Sequence, residues 1–511
     1  MQNPMTRMRT PAGRRRWLGL AALVMSGLVI GLDTTILVTA LPSLSAELGA
    51  TTSQLQWISA AYTLAWAGLL IPAGVFGDRW GRKRLLLLGL LLFGLSSVAA
   101  SRTTSADALI ALRAVMGAGA AVIMPLTLAV LPTMFSEAER PRAISLTAVG
   151  TFLGLPLGPL VAGWLLTHYA WGSIFLINAP VVVLAMLGVA FLIPESRDAG
   201  APRLDVPGAA LVIAGVTGLV YGVIQGPANG WTNATVLTAL AAGGALLVAF
   251  VAWELWVEHP LIDLRLFLDR RFTWSTAAFA AVGFAMTGVM FVVTPYLQVV
   301  QHTDAQGTGI RLLPMIAGVM LGALGGERVA TRLGTKIAVA AGLLVAGGGL
   351  VLLSRAGAAT GYGPIAAALG VTGIGIGLAM PAALDAILGA LPAAHMGAGN
   401  GLTRALQQIA ASLGVAVLGS VLNTAYRNGL QGHLGGLPAQ AQQAVEGSVA
   451  GAGAVAQHLP AAIAIPLEHA AFDAYAQGMA AVMLTCAAIL VPVAVLVLLL
   501  LPARAARNHV P

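Results

Sequence analysis

The chain is a succession of apolar runs, each about as long as a helix needs to cross a bilayer, separated by short polar breaks. A hydrocarbon core of about 30 Å takes roughly 20 helical residues, and a backbone inside it must satisfy its own hydrogen bonds, which restricts the fold to a helix bundle in lipid. Fourteen such runs can be drawn, at 17–40, 54–76, 84–101, 107–131, 143–166, 173–194, 205–225, 235–256, 273–299, 309–330, 337–355, 362–389, 398–425 and 476–501. Composition agrees, with 58% hydrophobic and 9% charged residues, a balance far from that of a soluble globular chain. The 62 glycines against 6% aromatic residues suit helices that approach one another through small side chains.

The basic residues test this reading. With the five arginines from Arg7 to Arg16 on the cytoplasmic side, 21 of the 27 lysines and arginines fall in cytoplasmic segments and only Arg102, Arg355 and Arg427 fall outside. Arg113, Arg311 and Arg404 lie within runs. A missed or invented span would scramble this asymmetry, so fourteen spans with both termini cytoplasmic are expected. The net charge of +8 is then topological, and nucleic-acid binding, which needs a basic patch, is excluded as the reading of it. The basic start followed by an apolar run resembles a signal peptide, but the run is of span length and no A-x-A-like site closes it, so it reads as a retained first helix. The single Cys486 excludes an intramolecular disulfide and a cysteine-rich metal site.

Two stretches repeat. Arg79-Trp80-Gly81-Arg82-Lys83 follows the second run and Arg332-Leu333-Gly334-Thr335-Lys336 follows the tenth, so the copies stand eight spans apart. Six-helix halves then require two extra helices between them. The expected organisation is a basic tail (1–16), a six-helix bundle (17–196), two additional helices (197–258), a second six-helix bundle (259–501) and a cytoplasmic tail (502–511). Segment 426–475, rich in Ala, Gln and Gly, reads as an extracytoplasmic surface loop with some helix, and its histidines lack metal-ligand spacing. Parallel repeats of this kind bind cargo between halves, near the midplane.

Asp33 lies inside the first run, where an ionised group is costly and is by default functional. It stands about seven residues from the outer end of its run, and Arg113 about six from that of the fourth; at 1.5 Å per residue both are roughly 10 Å deep, which permits pairing. A carboxylate beside an arginine is held ionised while burial opposes ionisation, so modest changes in water access or a cargo cation can move its proton. The alternative is a fixed ion pair that merely holds the bundle, for which a hydroxyl would serve at lower desolvation cost.

Together the motifs resemble those of the fourteen-span drug:proton antiporter family of the major facilitator superfamily. The resemblance rests on Leu32-Asp33-Thr34-Thr35-Ile36 through Ala40-Leu41-Pro42, on the loop from Gly74 through Gly77, Asp78, Arg79, Gly81, Arg82 and Lys83 to Arg84, and on Leu109 to Ala121 around Arg113 and Gly117. It rests also on Gly150, Gly154, Gly158, Pro159 and Gly163 in the fifth run, with Met116 and Ala162 as departures. The resemblance implies alternating access, Asp33 and Arg113 as the proton and substrate site, the Gly74–Arg84 loop as a breakable cytoplasmic latch, and the fifth-run glycines as an antiporter element. Spacing alone puts those glycines on one helical face, equally suited to ordinary close packing.

Asp385 and Arg404, near the inner ends of their runs, are candidates for an inner latch in the second half, with snorkelling to water as the other reading. Aromatic and methionine residues such as Trp57, Tyr62, Trp66 and Met290 can line an apolar cavity or simply pack. With no P-loop and no nucleophile elbow, the expectation is a secondary transporter rather than an enzyme, without cofactor and driven by the proton gradient. Its cargo would be hydrophobic cationic drugs or toxic compounds, exported through a bacterial-type cytoplasmic membrane. The rivals are an exporter of one endogenous metabolite or lipid and a non-transporting sensor or assembly module. A monomer is expected, and a periplasmic adaptor is left open.

Overall fold

A computed structural model describes residues 13–136, 139–197, 205–258, 260, 264–390, 396–435 and 437–502, and every regular element among them is helical. The chain begins with α1 (Gly13–Leu48), α2 (Thr52–Trp80), α3 (Arg82–Ala100), α4 (Ala106–Met134) and α5 (Arg140–His168), then the one-turn α6 (Ser173–Leu176) and α7 (Asn178–Leu192). A hairpin, α8 (Val206–Asn229) and α9 (Ala234–Trp256), follows. Next come α10 (Arg270–Pro295), α11 (Ala305–Arg311), α12 (Leu313–Leu333), α13 (Thr335–Leu353), α14 (Tyr362–Leu388) and α15 (Met396–Gly429). The short α16 (Ala439–Gly447) and α17 (Val449–Ala456) precede α18 (Ala461–Leu500).

Polar residues fix the helix starts in an otherwise apolar sequence. Thr51 and Gln54 form a capping box on α2, and the side chains of Ser105, Asp205 and Asn233 accept from the first turns of α4, α8 and α9. Twelve helices among the described residues are long and apolar enough to cross a membrane, or thirteen when the arms Thr52–Leu70 and Pro72–Trp80 of α2, bent by 51°, count as one span. The bend sits at Pro72, which lacks the amide hydrogen to continue the helical ladder. Beyond those thirteen, α5 is a further 29-residue helix.

Packing repeats within the chain. In the first part α1 packs along α5, α2 along α4, α4 along α3, and α7 against both α1 and α3. In the second part α10 packs along α15, α12 along α14, α14 along α13, and α18 against both α10 and α13, the same pattern in the same order. The repeated loop motifs are equally alike: a single glycine at positive φ, Gly81 (φ 118) or Gly334 (φ 93), joins one long helix to the next. The α8–α9 hairpin lies outside this pattern and packs through α8 on α2 and α15.

The two sets of helices meet along α2 with α15 and along α5 with α11. The hydrogen bonds that join them lie toward the end remote from Arg15 and Arg16. Gln56 Nε2 donates to the carbonyls of Ala416 (3.0 Å) and Val415 (3.3 Å), Gln298 Nε2 donates to Thr39 O at 2.6 Å, and Thr52 Oγ1 donates to Gly447 O at 2.5 Å. Ser45 and Ser448 share a hydrogen bond of 2.7 Å between their hydroxyls. The molecule is thus closed at that end.

Segment 426–475, expected as a surface loop with some helix, is mostly helical: α17 folds over α18 and the end of α1 with α16 packed on it, and α18 starts fifteen residues before the apolar run at 476. Its early turns carry Glu468, His469 and Asp473, which hide the helix from a hydropathy reading, while Leu467, Ala471 and Ala474 on the other face are buried.

Gln56 is fully buried, and its amide lies directly over Gly419, where an added Cβ would collide with it. Replacing Gln56 by Leu removes both donors that cross to α15. We expect spin labels at exposed Thr104 and Gln431, one in each set of helices, to show a larger long-distance population in Gln56→Leu by double electron–electron resonance. An unchanged distribution would show that this amide does not hold the closed end.

Candidate functional site

Asp33 and Arg113 meet, as their equal depths permit. Arg113 Nη1 donates to Asp33 Oδ2 at 2.6 Å, and the two side chains are 0% (Asp33) and 2% (Arg113) exposed, so the pair is wholly removed from solvent in this state. Three further contacts orient the guanidinium: Nε donates to Ile58 O at 3.3 Å, its face lies 4.1 Å over the Tyr62 ring, and Met116 Sδ sits 3.9 Å from Nη1. Met116, where the motif departs from the family pattern, therefore keeps only a weak sulfur contact. An ion pair this buried has its desolvation offset only by close geometry and additional hydrogen bonds, and both are present.

The carboxylate's other oxygen reaches residues that were not singled out from sequence. Asn178 Nδ2 lies 3.4 Å from Asp33 Oδ1 and donates to Ser97 Oγ at 3.1 Å, and Ser97 Oγ in turn donates to Phe175 O at 2.8 Å. Asn178 is the first residue of α7, directly after the break at Ile177 that separates α6 from α7. A polar amide interrupting the apolar run 173–194 was the available signal.

The fifth-run motif comes to the same place. A Cβ on Gly154 would stand 2.5 Å from Leu32 N, and one on Gly158 would collide with the Thr35 side chain, so these glycines seat α5 on the α1 backbone on either side of Asp33. Gly163 and Pro159, one turn further, lie against α11: a Cβ on Gly163 would be 2.5 Å from Gln306 Cα, and Pro159 O faces Gly309. The helix continues through Pro159. Gly150 falls within α5, but its surroundings lie outside the described residues.

The Gly74–Arg84 loop is a brace inside the first set of helices. Asp78 accepts from Arg82 Nε at 2.7 Å, and Arg82 Nη1 donates to Ala129 O of α4 at 3.1 Å. Lys83 Nζ donates to Ala190 O of α7 at 2.6 Å, its amide donates to Glu195 at 3.1 Å, and Arg84 faces Glu195 at 3.5 Å. Glu195, which was not singled out from sequence, is thus the acid this loop uses. Arg79 is exposed, Gly74 has no neighbour within 4 Å of a built Cβ, and among the described residues the loop makes no hydrogen bond to the second set. On the same face Arg16 bridges Glu139 at 2.7 Å, and the hydrogen bond from Ser136, with Arg16 nearby, holds that carboxyl below the usual range.

Asp385 and Arg404 are not brought together. Asp385 is exposed on α14, while Arg404 on α15 lies 5.5 Å over the Phe279 ring with Gln407 Oε1 at 3.4 Å. Of the aromatic candidates, Tyr62 belongs to the Arg113 site with Trp66 against it at 5.7 Å, and Trp57 packs against Tyr221 of α8 at 6.2 Å. Cys486 is a buried packing residue.

The comparisons with known proteins fit this arrangement. Residues 23–415 match the family described as Major Facilitator Superfamily. The chain is 31% identical over 473 residues to the multidrug efflux pump LfrA of Mycolicibacterium smegmatis, covering 92% of this chain and 93% of that one. It is 32% identical to the methyl viologen resistance protein SmvA of Salmonella typhimurium over 81% of this chain and 83% of the other. Among solved structures, a bacterial homolog of the human lysosomal transporter Spinster superposes with a TM-score of 0.70 at 17% identity, covering 97% of this chain and 100% of that chain, a likeness of fold. With its helical repeat, its buried Asp33–Arg113 pair and its braced loop, the chain belongs to the Major Facilitator Superfamily.

Proposed function

We propose that the protein exports lipophilic, cationic drugs or toxic compounds from the cytoplasm in exchange for protons, by alternating access between two six-helix halves. The observation that carries the reading is the fully buried Asp33–Arg113 pair at the junction of α1, α2, α4 and α5. A carboxylate there is held ionised by Arg113 while burial opposes its charge, so a rearrangement of the arginine or of water access shifts it between ionised and protonated forms. A charge change that large, with no water to dampen it, biases the packing of α1 on α5 and so the choice between conformations. The relatives' roles in multidrug efflux and methyl viologen resistance support a lipophilic cationic cargo.

Fourteen spans fit best, with the 29-residue α5 joining the other thirteen, since its glycines seat it on α1 through Gly154 and Gly158 and on α11 through Gly163. The arginine-rich end is the cytoplasmic face by the positive-inside bias, both termini lie there, and the bilayer is a bacterial-type inner membrane. The halves are residues 17–196 and 259–501, with residues 197–258 inserted between them as the α8–α9 hairpin. Because the hydrogen bonds between the halves sit at the other end, the conformation is inward-facing, and the Gly74–Arg84 loop latches to the second half only in the outward-facing state.

The test is proton flux in proteoliposomes of purified protein under an imposed pH gradient, with a panel of lipophilic cations. Cargo-dependent proton movement is expected in the wild type and its loss in Asp33→Asn. Asp33→Asn that still exports against a gradient with unchanged pH dependence would remove Asp33 from the mechanism.

A further inference from the structure

We infer that Asn178 is a proton-linked amide switch, which presents its nitrogen to Asp33 when the carboxyl is ionised and its oxygen when the carboxyl is protonated. The inference rests on the reading of Asp33 as the coupling acid and adds a positioning residue to it. Asp33 Oδ2 is occupied by Arg113 Nη1 at 2.6 Å, so the oxygen left to take up a proton is Oδ1, which faces Asn178 Nδ2 at 3.4 Å. The ionised carboxyl accepts there. Once water delivers a proton to Oδ1, a new O–H bond formed on a carboxylate lone pair points at an N–H donor, and two donors cannot share one hydrogen bond.

Asn178 carries the remedy. It is 1% exposed, and its Oδ1 has no hydrogen-bond partner among the described residues, an open acceptor on the same amide. A half-turn about Cβ–Cγ places Oδ1 where Nδ2 stood, so that it accepts from Asp33 O–H. Ser97, 3.1 Å from that position, then turns its hydroxyl from Phe175 O to the amide oxygen. The proton's arrival is thereby passed from α1 to α3 and to the α6–α7 break beside Ile177. On release the proton returns to water and the amide turns back.

Of the other groups around Asp33, Arg113 from α4 only donates, and Tyr62 from α2, its ring 4.1 Å from the Arg113 guanidinium, makes no hydrogen bond to Asp33 through its hydroxyl, whereas Asn178 already stands within reach of Oδ1. The charged residues of α3, α5 and α10, all of which neighbour α1 or the site, lie at their helix ends, and α6 and α7 carry none.

Asn178→Leu keeps the volume and removes both functions. Because a hydrogen bond to a carboxylate is stronger than one to a neutral acid, the ionised form loses more, and the midpoint of cargo-induced proton release should move up by about one pH unit, a tenfold gain in proton affinity. The neutral carboxyl band in the infrared difference spectrum, identified by its loss in Asp33→Asn, should shift to higher wavenumber as its hydrogen bond is lost. Wild-type protein alone should show a side-chain amide band changing together with that carboxyl band, a readout independent of whether Asn178→Leu folds. If Asp33→Asn abolishes proton release while Asn178→Leu moves neither midpoint nor band, Asn178 is only a packing residue and the Asp33 reading stands. If Asp33→Asn leaves release intact, the coupling reading fails and this inference with it.

Discussion

Replacing Arg113 by Leu is expected to lower the unfolding free energy of the purified protein by about 3–5 kcal/mol, and adding Asp33→Asn to the same chain to restore most of it. The size follows from burial. Asp33 is completely buried, so removal of its cation leaves a carboxylate whose remaining partner is Asn178 at 3.4 Å. The reversal follows because a neutral amide at position 33 has no charge to compensate, and the leucine introduced at position 113 then fills apolar space beside Tyr62. Unfolding titrations of the four proteins in mixed micelles complete the double-mutant cycle. Costs that simply add would mean that the pair is not coupled and that the arginine serves Ile58 and Tyr62 instead. Coupled transport is expected to vanish in all three variants, including the stable double one, which separates the pair's role in chemistry from its role in packing.

How much of this was legible in the sequence depends on what lipid enforces. Bilayer thickness and backbone satisfaction act on every residue of a span, so the helices and their repeat show plainly in hydropathy and in the two R-x-G-x-K turns. Equal depth permitted the Asp33–Arg113 pairing and the family resemblance pointed to the same two residues, since charges so far from water have few partners within reach. Asn178 and Gln56 were missed because an amide is cheap enough to occur singly in an apolar run, and its partners, on other helices, leave no periodic mark. Glu195 was missed for the opposite reason: beyond a span end a charge is unremarkable until folding places it against Lys83 and Gly81. The Asp385 and Arg404 runs each admitted two directions for a side chain, and only packing put Arg404 over Phe279. Segment 426–475 shows the limit of hydropathy itself, for α16, α17 and the start of α18 are helices with one wet face.

Gly154→Ala is expected to cost about 1–3 kcal/mol of stability and to abolish export, whereas Gly74→Ala is expected to leave stability unchanged or raise it by up to about 1 kcal/mol. Both glycines belong to motifs and both sit in helices, yet their surroundings are opposite. A methyl at Gly154 would lie 2.5 Å from Leu32 N and 2.6 Å from Gly31 C, main-chain atoms that cannot swing aside, so α1 or α5 must shift as a whole. That shift falls on the residue next to Asp33, and a bond of 2.6 Å to Arg113 tolerates little displacement before the ion pair loosens. At Gly74 no atom lies within 4 Å of the added methyl, and alanine is the better helix former. Unfolding titrations and proton-coupled export in proteoliposomes, run on both variants, separate the cases. Wild-type behaviour of Gly154→Ala would refute the tight seating of α5 on α1 at the coupling site. A stable Gly74→Ala that cannot transport would carry a different lesson: since an added methyl at Gly74 meets nothing within 4 Å in this structure, the close approach that requires glycine must form in another state, when the second half closes on the loop.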